Sequence, residues 1–390
     1  MRQKSYFCNR IFYNKKMKKT FQIICTVAVI AIMGSCGNKN QFTINGTVNL
    51  PELEGQKLYL IDVAKAGSCD DSEGTTPVDS AIVTNGKFTF KGTAKEPWMA
   101  AVGGPDLPYF SYVIVEAGTI TMVDDSIGGT PLNDKLYAFH KSIDIRDIED
   151  QMQEYIPLYY GATNATERAA AERVLDSLDE LGNSRMLEAA WTLYHDNEDN
   201  ILAVTAMENI VHYGQYTLAQ FDSILSTASP MVVENKVVEA KMKQLRAIDA
   251  TSAGKHYVDI QGVDSKLSEL IDGKLALVDF YASWCGPCRN EIKDNLVPLW
   301  AKYKNKGLVI VGLNVWERGD AAARKEAHEK VMANLGITYP QLVDSTRTAT
   351  DTYGVNSIPQ IMLIDKDGTI LARDLRGAAI EEAIINALGK

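Results

Sequence analysis

The pentapeptide Trp284-Cys285-Gly286-Pro287-Cys288 lies one residue after an apolar run and restricts what this 390-residue chain can fold into. Residues 275–282 read Leu-Ala-Leu-Val-Asp-Phe-Tyr-Ala, a composition typical of a strand covered on both faces. Pro287 fits the first turn of a helix, because the N–H groups of that turn have no intrahelical partner. The pattern therefore predicts a buried strand that turns into a helix at two cysteines.

Cys285 and Cys288 are predicted to be a redox pair. Cysteines three residues apart face the same side of a helix and are close enough to oxidise to a small-loop disulfide. Cys285, the earlier of the two, lies where free N–H groups and the positive end of the helix dipole favour a thiolate. We therefore expect Cys285 to be the attacking sulfur and Cys288 to resolve the mixed disulfide.

The first 35 residues have the composition of an export signal. They hold seven lysines or arginines and no acidic residue, and the apolar stretch 21–33 is too short to span a bilayer. Met33-Gly34-Ser35-Cys36 resembles a bacterial lipobox, which implies cleavage before Cys36 and lipidation of that cysteine. We expect residues 1–35 to be a lipoprotein signal peptide; an uncleaved signal anchor is the alternative.

Charge and cysteine usage narrow the class of partner. The formal net charge is −10, and removal of seven of the 40 basic residues and none of the 50 acidic ones leaves about −17. Such a surface repels phosphate backbones, which disfavours nucleic-acid binding. Beyond the signal and Cys36, only Cys69, Cys285 and Cys288 remain, too few for a disulfide-stapled scaffold. Cys69 is interpreted as incidental; an intermolecular disulfide or a self-substrate is the alternative.

Residues 36–127 are predicted to form a small all-β domain, a sandwich or a single sheet. Short alternating apolar segments recur, and Asn85-Gly86 between residues 81–83 and 88–90 is a strong hairpin signal. Residues 112–115 and 119–123 predict a second hairpin through Glu116-Ala117-Gly118. No cluster of acids, histidines or serines in this part of the chain indicates chemistry.

Residues 128–250 are predicted to be helical. Apolar residues recur at spacings of three and four, with charged residues between them. Residues 197–200 and 226–230 are the expected breaks between helices. Residues 251–255 then read as a linker into the last domain.

Residues 251–390 resemble thioredoxin, and more closely the exported TlpA/ResA branch of that superfamily, which implies an α/β thioredoxin-like fold. The resemblance covers about a third of the chain and depends on several separated elements: the strand ending at Ala282, the pentapeptide, Arg289-Asn290-Glu291, the strand 308–313, a helical insert near 320–335, Gly354-Val355-Asn356-Ser357-Ile358-Pro359, the pair 360–364 and 369–371, and the closing helix 379–388. Residues 36–127 likewise resemble the β domain that precedes thioredoxin modules in many Gram-negative lipoproteins.

The resemblance implies roles for further residues. The Ile358–Pro359 bond would be cis and lie beside the disulfide, where Trp284, Ile358 and Pro359 would contact an extended substrate. The alternative is an ordinary trans proline at the start of a strand.

Two carboxylates are implied to assist the cysteines. Asp279 lies in an apolar strand, and burying a carboxylate costs several kcal/mol unless something uses or satisfies it. Resemblance places Asp279 behind Cys288, where it would take the proton of the second thiol; an exposed strand-end acid is the alternative. Glu291 would tune the thiols or contact a partner, or be an ordinary first-turn acid. Lys293 stands where this branch often has proline, which leaves the shape of the active-site helix open.

The expected function is reduction of protein disulfides by a membrane-anchored protein of the periplasm. The Gly-Pro dipeptide resembles that of reducing thioredoxins, and no NADPH or flavin motif is present, so no cofactor is expected. The resemblance implies a DsbD- or CcdA-like membrane protein as electron donor.

Three competing functions are less favoured by the sequence. A metal site lacks a second Cys-x-x-Cys or paired histidines, and a peroxiredoxin would need a Pro-x-x-x-Thr-x-x-Cys setting. A lipid-tethered binding or assembly protein with a redox-responsive module stays open as the alternative.

Overall fold

The computed structural model describes residues 40–65, 76–104, 107–124, 126–344 and 346–389. The predicted signal peptide, the predicted lipid site Cys36 and the lone Cys69 lie outside these residues. Within them, no helix combines the length and the apolar character needed to cross a membrane.

The N-terminal part is a β-sandwich of two four-stranded sheets, which confirms the predicted all-β class. One sheet has the order β4-β1-β7-β8 and the other β3-β2-β5-β6. The strands are β1 Gln41–Thr47, β2 Lys57–Asp62, β3 Asp79–Ile82, β4 Lys87–Thr93, β5 Trp98–Gly103, β6 Phe110–Val115, β7 Gly118–Val123 and β8 Ser126–Gly128.

Both predicted hairpins are wrong in their pairing. The Asn85-Gly86 turn forms, with φ of 52° and 67° and hydrogen bonds between Thr84 and Lys87, but β3 then pairs with β2 while β4 pairs with β1. In the same way β6 pairs with β5, whereas β7 runs parallel to β1. Each of these two connections crosses between the sheets, because the two sheets bury their inner faces against one common core.

Helices follow the sandwich, as predicted, and pack on it. They span Pro131–Ser142, Arg146–Gly161, Ala165–His195, Ile201–Tyr213, Leu218–Leu225, Pro230–Val233 and Lys236–Ala250. Most of their apolar faces join the core of the sandwich, whereas the helix Arg146–Gly161 and the first half of the helix Ala165–His195 pack on each other in a separate small core. The buried Asn133 side chain bonds the N–H and the carbonyl of Ile114 at 2.9 and 2.7 Å. Breaks fall at residues 196–200 and 226–229, close to the predicted positions.

The C-terminal part is an α/β domain around a five-stranded sheet of order β11-β10-β9-β12-β13, which confirms the predicted thioredoxin-like class. The strands are β9 Leu275–Tyr281, β10 Leu308–Asn314, β11 Gln341–Val343, β12 Gln360–Ile364 and β13 Ile370–Ala372. The helices are Leu267–Ile271, Gly286–Glu291, Val297–Tyr303, Ala321–Leu335, Thr348–Tyr353 and Ala378–Leu388. Strand β9 is central and every one of its residues is buried.

The segment predicted as a linker is bound to the C-terminal domain. Arg373 donates to the carbonyl of Thr251, and the Gly254 N–H donates to the Ile370 carbonyl at 2.8 Å. Residues 251–255 therefore carry hydrogen bonds that tie the last helix of the middle region to strand β13. The boundaries set at residues 127 and 250 stay predictions.

Candidate active site

The two cysteines lie where the central strand passes into the active-site helix Gly286–Glu291. They form a disulfide with an S–S distance of 2.02 Å and 5.3 Å between the Cα atoms. Cys285 occupies the N-cap position, and its Sγ accepts the N–H of Cys288 at 3.1 Å. An N–H donated to a sulfur favours its charged form, so this bond stabilises a Cys285 thiolate once the disulfide opens.

Exposure also distinguishes the two sulfurs. Cys285 keeps 5% of its surface exposed, whereas Cys288 is fully buried. Of the two cysteines, Cys285 is the one that keeps some exposed surface; the order of attack expected from the sequence stays a prediction.

The Ile358–Pro359 bond is cis, as predicted. It lies beside the disulfide: the Ile358 carbonyl is 3.9 Å from the Sγ of Cys285. Pro359 is buried and Ile358 half-buried, and strand β12 begins at the next residue.

Asp279 is buried, with 1% of its surface exposed and no hydrogen-bond partner for either carboxyl oxygen among the described residues. Burial raises the pKa of Asp279 to about 8; the positive charge of Arg376 opposes that rise and the charge of Glu291 adds to it. The alternative of an exposed strand-end acid is therefore wrong, since the strand crosses the middle of the sheet. At neutral pH most of this carboxyl group is protonated.

Glu291 is half-buried at the end of the active-site helix. Its Oε1 accepts the N–H of Gly377 at 3.1 Å and the side-chain amide of Asn295 at 2.7 Å. Burial raises the pKa of Glu291, while the Gly377 hydrogen bond and Arg376 oppose the rise. Glu291 therefore joins the active-site helix to the loop before the closing helix.

Lys293 lies in a π-helical turn, Ile292–Leu296, which interrupts the helix between the cysteines and Pro298. Single π-turns inside helices recur at functional sites. The helix is thus irregular at the position where the sequence left its shape open, although lysine replaces proline there.

Arg376 is a site residue that the sequence reasoning missed. Its guanidinium donates to the carbonyl of Pro359, and it also donates to the Leu375 carbonyl at 2.7 Å. The same charge opposes the raised pKa of both Asp279 and Glu291. Nothing in the local sequence marks this arginine, which is 88 residues from Cys288 along the chain.

Trp284 is 41% exposed beside the disulfide and rests on the loop that follows strand β10. Its indole N–H donates to the Trp316 carbonyl at 2.9 Å. The carboxylate of Glu317, also missed, accepts the N–H and the hydroxyl of Ser283, each at 2.6 Å. Strands β9 and β10 are parallel neighbours, and polar residues just after two such strands meet at one edge of the sheet, a rule that would have found Glu317.

The described residues contain no group of three or more His, Cys, Asp or Glu side chains arranged to hold a metal ion. The site combines the Cys285 sulfur, which receives an N–H bond, with a fully buried Cys288, a cis-proline backbone beside Cys285 and the buried acid Asp279 in the strand that leads to the cysteines. This set can exchange a disulfide with an extended peptide.

The chain is similar to known proteins in two regions, and the similarity to redox proteins falls in the C-terminal domain. A family model described as the AhpC/TSA family matches residues 243–373, and a domain of unknown function, DUF4369, matches residues 42–136. The thiol-disulfide oxidoreductase ResA of Bacillus thuringiensis (strain Al Hakam) is 33% identical over 113 residues, 29% of this chain and 61% of that protein. ResA of Bacillus thuringiensis subsp. konkukian (strain 97-27) is 30% identical over 132 residues, 34% of this chain and 71% of that protein.

A putative thiol:disulfide interchange protein DsbE from Chlorobium tepidum is a similar solved structure, with 29% identity and a TM-score of 0.32 over 35% of this chain and 99% of that one. The C-terminal domain places the chain in the thioredoxin superfamily. Within that class it belongs to the ResA/TlpA-like thiol-disulfide oxidoreductases. The chain spans about three fifths of the length of the first curated relatives it matches.

Proposed function

We propose that this protein reduces disulfide bonds in other proteins outside the cytoplasm while a lipid on Cys36 holds it at a membrane. The observation that carries the redox part is the difference between the two cysteines: Cys285 keeps 5% of its surface exposed and its sulfur accepts an N–H bond, whereas Cys288 is fully buried. The relatives named as thiol-disulfide oxidoreductases support the same chemistry.

The reaction proceeds in two exchanges. The Cys285 thiolate attacks one sulfur of the substrate disulfide, forms a mixed disulfide and releases the other substrate sulfur as a thiolate. Cys288 then attacks the Cys285 sulfur, which restores the Cys285–Cys288 disulfide and releases the second substrate thiolate. Two electrons pass to the substrate, and the ionised form of Asp279 takes the proton of the Cys288 thiol.

The backbone beside the cis proline aligns the substrate. The Ile358 carbonyl lies 3.9 Å from the attacking sulfur, so an extended segment paired with this backbone carries its cystine to Cys285.

Electrons have to come from another thiol protein, because the cycle ends with the oxidised pair. The family resemblance makes a membrane protein of the DsbD or CcdA type the proposed donor. The basic and apolar composition of residues 1–35 and the Met33-Gly34-Ser35-Cys36 sequence support export, lipidation and a position facing the periplasm.

Insulin reduction by the full mature chain tests the redox assignment. We expect turnover with dithiothreitol as the electron source, loss of turnover in Cys285→Ser, and accumulation of a mixed disulfide at Cys285 in Cys288→Ala. Turnover that survives in Cys285→Ser contradicts the assignment of Cys285 as the nucleophile.

The lipid anchor needs a separate experiment. Cells fed labelled palmitate should label the wild-type chain and not Cys36→Ser, and only the wild type should sediment with membranes. Labelling of Cys36→Ser rules out this site of acylation without bearing on the redox chemistry.

A further inference from the structure

An exposed arginine lies over the tryptophan that precedes the attacking cysteine. The guanidinium carbon of Arg318 is 4.4 Å from the centre of the Trp284 ring system, within the range of a cation–π contact. Trp284 is 41% exposed and Arg318 is exposed as well. A positive charge is therefore held at the rim of the redox site.

Hydrogen bonds of Glu317 fix the conformation of the loop that carries Arg318. Glu317 accepts three hydrogen bonds, two from Ser283 and one from the Asn314 side chain at 2.7 Å. Trp316 has a φ of 55°, in the left-handed region that a bulky side chain adopts only when its surroundings force it to. These contacts determine where Arg318 emerges from the loop.

Stacking leaves the guanidinium able to bind a carboxylate. A guanidinium contacts an aromatic ring through its face, and its N–H donors point outward around the edge of the same plane. A carboxylate accepts two of these N–H groups in parallel. Arg318 can therefore rest on Trp284 and bind an acidic side chain at the same time.

The charges around the disulfide favour this use. Arg289 follows Cys288 directly and is also exposed. Among the described residues, no carboxylate forms an ion pair with Arg318 or Arg289. The acids next to Arg318 are already engaged: Glu317 bonds Ser283, and Asp320 caps the helix Ala321–Leu335 through the Ala323 N–H. In a chain of net charge −10, Arg318 lies over the residue before Cys285 and Arg289 follows Cys288, and neither has a carboxylate partner among the described residues.

We propose that Arg318, stacked on Trp284, selects substrate proteins whose target cysteine is flanked by acidic residues, with Arg289 as a second cation at the same rim. This inference rests on the proposed disulfide reductase activity and names the chemistry of its substrate. The acidic side chain binds the guanidinium while the substrate backbone pairs beside Pro359.

The local cations decide the preference despite the acidic surface of the whole chain. The Debye length is about 8 Å at physiological ionic strength, so most of the overall negative charge is screened from a bound peptide. A carboxylate in direct contact with Arg318 is screened far less. Substrate choice should therefore follow the two arginines rather than the net charge.

Three cystine peptides that differ only in the residues beside the cystine test the proposal. The flanks are Glu, Gln or Lys, and the second-order rate of reduction by the reduced full mature chain is measured at 0.15 M NaCl. We expect the Glu peptide to react about tenfold faster than the Lys peptide, which corresponds to about 1.4 kcal/mol. The ratio should fall as the salt concentration rises, because the contact is between charges.

Variants distinguish the effect of Arg318 on the rate ratio from the effect of the overall charge of the protein. Arg318→Gln should lower the Glu/Lys ratio to about twofold, and Arg318→Lys should keep an intermediate ratio because it retains the charge and loses the paired donors. Lys306→Gln is the matched control: Lys306 also lies over an aromatic ring, 5.1 Å from the centre of Tyr303, just before the amino end of strand β10. It removes the same charge at the opposite edge of the sheet and should leave the ratio unchanged.

Three results overturn the proposal. They are equal rates for the Glu and Lys peptides, a ratio that Arg318→Gln leaves unchanged, and a ratio that Lys306→Gln lowers as much as Arg318→Gln. A wild-type chain that reduces none of the three peptides and forms no mixed disulfide in Cys288→Ala instead removes the proposed function itself. The two failures are therefore distinguishable.

Discussion

Asp279 combines a buried carboxyl group with the lack of any hydrogen-bond partner in the described structure. Burial raises its pKa to about 8, and the charged groups acting on it are Arg376, which lowers the pKa, and Glu291, which raises it. The phenol groups of Tyr281 and Tyr339 are close enough to interact with it, but burial raises their own pKa values so far that they stay neutral. The pKa of Asp279 is therefore set by its own burial and by the charges of Arg376 and Glu291.

Replacing Asp279 by Asn should change how stability depends on pH. In the folded oxidised protein the pKa is raised from 3.8 to about 8, so the folded state binds more protons than the unfolded state between these values. The contribution of Asp279 to the free energy of unfolding is complete below about pH 4. It falls by up to about 1.4 kcal/mol per pH unit as the pH rises and is lost above about pH 8. Asp279→Asn removes this slope, so its stability relative to wild type should rise with pH. Urea unfolding at pH 5, 7 and 9 measures it.

The exposed acid Asp264 provides the control for that series. Asp264→Asn should run parallel to wild type across the three pH values. Parallel curves for Asp279→Asn and wild type would mean that the buried carboxyl group carries no unusual proton affinity.

Arg376 should set the pH at which Cys288 resolves the mixed disulfide. Its charge lowers the pKa of Asp279, and the ionised carboxylate is the form that accepts the Cys288 proton. Arg376→Met should therefore move the rise of the resolution rate to higher pH and slow resolution at pH 7, while Arg376→Lys keeps the charge and stays near wild type. Stopped-flow release of the substrate thiol between pH 6 and 10 measures the inflection. Identical inflections for the Met and Lys variants refute a charge effect.

Among the secondary-structure elements, those that depend on the local sequence were predicted correctly. The apolar run 275–282, Pro287 in a first turn and the two cysteines were sufficient to predict strand β9, the active-site helix and the disulfide. The cis bond at Pro359 came from the family resemblance and is confirmed.

The pairing of strands was beyond local reasoning. The Asn85-Gly86 dipeptide fixes a turn, but which strand lies beside β4 depends on burying Phe88 and Phe90 in a core shared by two sheets. Strand β5 carries no turn signal of its own and was not predicted. A two-residue turn specifies geometry over four residues, whereas sheet order is decided by contacts between distant parts of the chain.

The loop after strand β10 should stabilise the active-site turn through Glu317. Glu317→Gln keeps the size of the side chain but places an amide N–H₂ where one oxygen now accepts a hydrogen bond from Ser283 or Asn314. A lost charge-assisted bond with an unsatisfied donor costs about 1–3 kcal/mol. We expect a lower urea midpoint and slower insulin reduction, since Trp284 rests on the same loop.

Ser283→Ala is the matched comparison, because it removes only the hydroxyl donor and leaves the Ser283 N–H bonded to Glu317. Its loss of stability should be the smaller of the two. A larger loss in Ser283→Ala would place the main contribution on the hydroxyl group instead of the carboxylate.

At the scale of the whole molecule, the helical region contacts the redox domain near the active site. Arg168 pairs with Asp294 of the π-turn at 2.5 Å, and the Asn290 amide lies 3.4 Å from the Tyr159 hydroxyl. Gln244 donates to the Gly354 carbonyl at 3.2 Å, close to the Pro359 loop. The sequence contains no pattern that predicts such pairs, because the two members of each pair lie more than 100 residues apart in the chain.

The Arg168–Asp294 pair should couple the helical region to the active-site helix. The two side chains are only 18% and 24% exposed, so the pair is less screened than a surface ion pair. A double-mutant cycle with Arg168→Ala and Asp294→Ala should give a coupling free energy of about 1 kcal/mol or more. Arg185–Asp147, a more exposed pair within the helical region at 37% and 53%, is the control and should couple more weakly.

Hydrogen exchange shows whether this coupling reaches the redox site. Loss of the Arg168–Asp294 pair should speed amide exchange in the π-turn Ile292–Leu296 and the adjoining active-site helix, because the turn then lacks its outer contact. Arg185→Ala should leave these amides unchanged. Exchange that accelerates only in the helix Ala165–His195 would mean that the helical region is held to the redox domain by its other contacts, and that the π-turn keeps its shape without Arg168.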